Sequence, residues 1–212
     1  MNVALDILEV DSVPREAISL SKAGPAPKRV VAGFGFWVFL ISDIIMFSAL
    51  FATYAVLANA TAGGPTGAQL FHQGTVALET AVLLASSYAC GLMSLAINKE
   101  RLGGFYLGAL ITFALGACFV GLELREFASM IADGATPQRS AFLSAFFTLV
   151  GCHGLHVTAG LIWLVVMMAQ VAVRGFRPNV QRRLFCFALF WHALDIIWVG
   201  LFTMVYLMGV LP

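Results

Sequence analysis

Five long apolar runs separated by short polar stretches make up most of this chain. They cover about 33–57, 76–96, 104–122, 141–171 and 184–208. Each approaches or exceeds the roughly 20 mostly apolar residues that a helix needs to cross a bilayer. Turn-forming residues lie between them, as in Gly63-Gly64-Pro65 and Asp133-Gly134-Ala135-Thr136-Pro137. The pattern predicts an all-α fold, an integral membrane bundle of five transmembrane helices occupying 31–212 after a polar tail at 1–30. The fourth run is long for a hydrocarbon layer of about 30 Å, so its helix is expected to tilt or to project beyond the lipid. No internal repeat divides the chain into two inverted halves, which disfavours a small transporter.

Composition agrees with that reading. Sixty per cent of the residues are hydrophobic and 11% charged, with a mean hydropathy of +0.92. A soluble domain of 212 residues has too little interior to hide so much apolar surface. The tail is mixed in charge, with Asp6, Glu9, Asp11, Arg15, Glu16, Lys22, Lys28 and Arg29. It lacks the order of a secretory leader, so the first span is expected to act as an uncleaved insertion signal. A net charge of +1 gives no reason to expect nucleic acid as a partner.

Where the basic residues fall is more informative. Arg15, Lys22, Lys28 and Arg29 precede span one, Lys99 and Arg101 join spans two and three, and Arg174, Arg177, Arg182 and Arg183 join spans four and five. Only Arg125 and Arg139 fall on the other side. Basic residues near span ends stay in the cytoplasm, which predicts a cytoplasmic N-terminus and a periplasmic C-terminus. The cysteines, Cys90, Cys118, Cys152 and Cys186, show no CxxC spacing and read as buried thiols packing as small hydrophobes.

Polar side chains at membrane depth are costly and need a reason. Asp43 lies near the middle of span one and Glu79 near one end of span two. Glu123 and Glu126 flank Arg125 at the outer end of span three, with water in reach. His153 and His156 in span four are three apart, as are His192 and Asp195 in span five, so each pair shares a helix face. Three readings fit these residues. They bond to one another and fix helix packing; they carry protons or a substrate; or His153, His156 or His192 ligates haem or a metal. His153 and His156 project from one helix and cannot hold one haem from both sides, whereas His192 could face either. Gly151, Gly154 and Gly160 mark span four as a seam where a helix or lipid chain comes close. The four tryptophans, Trp37, Trp163, Trp191 and Trp198, read as interface anchors or bundle filler.

Gly151-Cys152-His153-Gly154-Leu155-His156-Val157 and Phe190-Trp191-His192-Ala193-Leu194-Asp195-Ile196-Ile197-Trp198 resemble two segments of subunit III of the haem–copper terminal oxidases. Glu123-Leu124-Arg125-Glu126-Phe127 looks like that family's Glu-x-x-Glu stretch. The five spans, the stretch from Leu50 to Leu57 and Gly63-Gly64-Pro65-Thr66-Gly67 are similar to the bacterial cytochrome bo-type ubiquinol oxidase branch. Asp43 stands where many cytochrome c oxidase relatives have a glutamate. The resemblance implies a multi-pass protein of the bacterial inner membrane, an accessory subunit without redox chemistry in an oxygen-reducing, proton-pumping quinol oxidase. It implies that haem and copper belong to partner subunits, that subunit I is a direct neighbour with subunits II and IV in the same complex, and that phospholipid fills a cleft. On this reading Asp43, His153 and His156 form one polar cluster and His192 with Asp195 another, and both build scaffold. The alternative from another class is a haem-binding membrane cytochrome using the intramembrane histidines.

Overall fold

A computed structural model describes residues 28–70 and 73–207. The polar tail, apart from its last few residues, lies outside the described residues, as does the final stretch from 208 onward. Helix α1 runs Lys28–Leu57, a single turn α2 covers Gly67–Leu70, and α3 covers Gln73–Asn98. They are followed by α4 (Leu102–Ala132), α5 (Ala141–Arg174) and α6 (Pro178–Leu201), which continues as a π-helical stretch, Phe202–Leu207. There is no strand among the described residues. Five of the helices are long and apolar enough to cross a membrane. The fold is the all-α five-span bundle expected.

The helices start and stop for local reasons. Ser140 caps α5, its hydroxyl accepting from the Leu143 N–H at 3.2 Å. At the other end Gly175, at φ 63°, lets the chain turn away, in a backbone region that costs other residues strain. Pro178 then opens α6, where a missing N–H costs nothing. With 34 residues, α5 spans about 51 Å, well beyond the lipid.

Helix α4 departs from the sequence expectation. Hydropathy ends the third span near Leu122, yet the helix continues to Ala132, because charges lower hydropathy without breaking a helix.

The most extensive helix pairing is α3 with α4. Helix α6 packs on α5, α3 and α1, and α5 also contacts α1 and α4. The core is aromatic: Phe47, Phe105, Phe119, Phe146, Phe187 and Trp198 are each at most 1% exposed. Helix α1 joins through a narrow stripe. Among its described side chains only Leu40, Phe47 and Tyr54, spaced by seven, are buried, which is the repeat of a thin helix–helix seam. Its outward hydroxyls, on Ser42, Ser48 and Thr53, bond to carbonyls three or four residues back, which satisfies them where no water is available. Of the cysteines, Cys90 is buried and Cys118 is exposed on the outside of α4. That corrects the expectation of four buried thiols. A thiol facing lipid meets a medium as apolar as the core.

Candidate functional site

The sequence-selected polar residues fall into three places. The first is the contact of α3 with α6. His192 Nδ1 and Ser87 Oγ lie 2.7 Å apart, and the Asp195 carboxylate faces the same hydroxyl and the His192 ring. At the adjacent positions, Trp191 donates from Nε1 to Ser86 Oγ at 3.1 Å, and Ser86 donates to the Thr112 carbonyl of α4 at 3.2 Å. Further along, Trp198 donates to Thr80 Oγ1 at 3.0 Å. The structure thus brings His192 and Asp195 together and adds partners that sequence reasoning did not single out: Thr80, Ser86 and Ser87. Both indoles are filler inside the bundle, at 2% and 0% exposure.

The second place is the middle of α5. His153 is fully buried, and Nε2 donates to the Leu194 carbonyl of α6 at 3.3 Å. Its ring is enclosed by Trp198, Phe119 and Phe47, with centroids 5.1, 5.8 and 6.4 Å away. His156 donates from Nδ1 to its own-helix Cys152 carbonyl at 2.7 Å and packs on Phe47 at 5.3 Å. Asp43, half-buried on α1, lies within electrostatic range of Cys152. Asp43 thus lies near Cys152, while His153 bonds to α6 and packs on rings of α1, α4 and α6. Rings packed so closely around His153 leave no slot for a porphyrin beside it. Among the described residues no three His, Cys, Asp or Glu side chains are placed to hold a metal ion.

The third place lies at the end of the bundle that is poor in basic residues. Glu79 on α3 and Glu123 on α4 are 0% and 3% exposed, and Glu126 is half-buried. The three carboxylates lie within electrostatic reach of one another and of the Tyr206 hydroxyl. The position of Glu123 differs from the water-accessible one that the sequence suggests: it points into the bundle against the backbone of α5. A Cβ on Gly154 would stand 2.6 Å from Glu123 Oε2, so the glycine makes room for the carboxylate. The other seam glycines also sit at contacts. A Cβ on Gly160 would meet the Trp191 ring at 2.9 Å, and one on Gly151 the Phe127 ring at 3.7 Å.

The Ser87–His192, Ser86–Trp191, Thr80–Trp198 and His153–Leu194 bonds hold one helix to another, inside five membrane-spanning helices. The molecule is a polytopic, all-helical membrane protein. Its family is equally clear: the chain belongs to the family described as cytochrome c oxidase subunit III, whose profile matches residues 13–210. It is 52% identical to the cytochrome bo(3) ubiquinol oxidase subunit 3 of Pseudomonas aeruginosa over 178 residues, 84% of this chain and 85% of that one. Over 175 residues it is 44% identical to the quinol oxidase subunit 3 of Bacillus subtilis, covering 82% of this chain and 86% of the relative. The similarity to a Buchnera aphidicola cytochrome bo(3) ubiquinol oxidase subunit 3 is 44% over 175 residues, 82% and 90% of the two chains. The resemblance carried by the His-Gly-Leu-His and Trp-His-x-x-Asp segments is therefore correct. The chain is a multi-pass protein of the bacterial inner membrane.

Proposed function

We propose that this chain is the accessory, non-catalytic subunit III of a quinol-oxidising, oxygen-reducing proton pump, where it stabilises subunit I and holds phospholipid. The observation that carries the scaffold role is the Ser87–His192 bond at 2.7 Å with the tryptophan–hydroxyl pairs around it. These intramembrane groups are engaged in bonds between helices, and no redox group would be needed for that. The names of the similar proteins support the quinol oxidase; haem and copper then belong to partner subunits.

The lipid part of the reading is supported by a groove of about 720 Å³ between α3 and α6. Ile97, Leu184, Phe185 and Leu189 give it apolar walls, and Arg182 stands near one end. An acyl chain suits the walls and a phosphate group suits the guanidinium.

The test is a pull-down of the tagged chain from its native membranes in mild detergent, assayed for quinol-driven oxygen uptake. A co-purifying haem-bearing subunit with active uptake is expected. A chain that comes down alone under conditions preserving other membrane complexes overturns the reading. Substituting Asp43→Leu is expected to weaken the complex and to speed its loss of activity in turnover, with the metal content of the remaining complex unchanged. Loss of haem from intact complex would count against an accessory role.

A further inference from the structure

The carboxylates at the end poor in basic residues are not explained by scaffolding. Glu79 has neither carboxylate oxygen bonded, and Glu123 Oε1 is also without a partner. Elsewhere in this bundle Ser86, Ser87, His192, Trp191 and Trp198 bond across helices; neither Glu79 oxygen nor Glu123 Oε1 does. Ionised carboxylates this close, in a medium without water, repel one another strongly and lack donors to replace hydration. Either protons or a cation must neutralise them.

Several elements converge on the place. Glu79 comes from α3 and Glu123 and Glu126 from α4, and Tyr206 from the π-helical stretch reaches all three electrostatically. From α1, the Tyr54 hydroxyl is directed to the same region: it interacts with Tyr206, its residue is 3% exposed, and the oxygen has no partner. On α5 the missing side chain of Gly154 leaves the space that Glu123 enters. The neighbouring His153 has its Nε2 bonded to the Leu194 carbonyl. The nearby cations are at the rim: Arg125 is exposed, and Arg139 is bonded to the Gly134 carbonyl at 3.2 Å. A cavity of about 480 Å³, lined by Thr75, Leu78, Arg125, Glu126 and Ser129 among others, leads from the surface to Glu126.

We propose that Glu79, Glu123 and Glu126 form a buried proton-holding site, completed by Tyr54 and Tyr206, that exchanges protons with solution through the cavity beside Glu126. A metal ion fits less well, because no three of these groups are set at metal-binding positions. Protons need no such geometry, since shared hydrogen bonds between carboxyl groups suffice. The site is separate from the Ser87–His192–Asp195 group and does not depend on which electron donor the complex uses.

Infrared difference spectroscopy of the purified complex tests this, recording the carbonyl stretch of protonated carboxylic acids on transfer from H₂O to D₂O at neutral pH. The wild-type complex is expected to show a band that disappears in E79Q and shifts in E126Q. Thr75→Trp, at an exposed position on the cavity wall, is expected to leave the band intact and slow its hydrogen–deuterium exchange severalfold. Should E79Q fail to assemble, E126Q at the half-buried position carries the same comparison. A spectrum identical in wild type and E126Q overturns the proposal. Unchanged exchange in T75W overturns the route. Bleaching of the band by sodium chloride at fixed pH overturns the assignment to protons in favour of a sodium site.

Discussion

At the scale of single residues, the distances across α5 separate glycines that look alike in sequence. Gly151 and Gly154 both flank His153, but a Cβ at Gly154 falls 2.6 Å from a Glu123 oxygen and one at Gly151 only 3.7 Å from a ring carbon. Gly154→Ala is therefore expected to cost about 1–3 kcal/mol through overpacking, and Gly151→Ala to stay within about 0.5 kcal/mol. Thermal unfolding of the complex in detergent reads both. The same contrast holds for two serines of α3. Ser87 is bonded to His192 across the helix interface, whereas Ser94 bonds only to its own-helix Cys90 carbonyl at 3.1 Å. Ser87→Ala is expected to cost about 0.5–1.5 kcal/mol by removing the partner of a half-buried imidazole, and Ser94→Ala to be near neutral. Sequence alone finds His192 and Asp195, because ionisable groups in an apolar run stand out. It cannot find Ser87, because a serine in a span bonds equally well to its own helix, and only the facing helix decides.

At the scale of the element, α1 is the helix least committed to the bundle. Its stripe of Leu40, Phe47 and Tyr54 carries the contact, while Ile45 is 64% exposed. Phe47→Ala removes a ring that is 1% exposed and packs on both histidines of α5. The expected cost is about 3–5 kcal/mol, read as protease sensitivity of α1 in the detergent-solubilised complex. Ile45→Ala is expected to leave α1 as resistant as in the wild type. The existence of all five spans was legible from hydropathy, because lipid and protein interior both demand apolar residues. That same equivalence hid which face of α1 points inward. It also hid the end of α4. Glu123 and Glu126 made the last ten residues of that helix look like a loop, whereas the missing side chain of Gly154 leaves room for the Glu123 carboxylate inside the bundle.

At the scale of the whole molecule, the bundle has two unlike ends. Five antiparallel crossings bring Lys99, Arg101, Arg174, Arg177, Arg182 and Arg183 to one end, together with the start of α1. Arg125 and Arg139 lie at the other, beside the three glutamates. The positive-inside tendency then predicts that the first end is cytoplasmic and that the glutamate site lies near the periplasm. Single cysteines at Gly63 and at Glu100, in loops at opposite ends, test this in intact cells with a membrane-impermeant maleimide. Gly63→Cys is expected to label without cell lysis and Glu100→Cys only after it. The native thiols are poor targets for a charged reagent because they lie within the spans, and the unsubstituted chain gives their background. The reverse pattern would put the glutamate cavity on the cytoplasmic side, so that any proton it holds would equilibrate with the compartment from which a proton pump takes up protons. The expected pattern ties the site to the release side, where slow exchange in T75W would report on access from the periplasm.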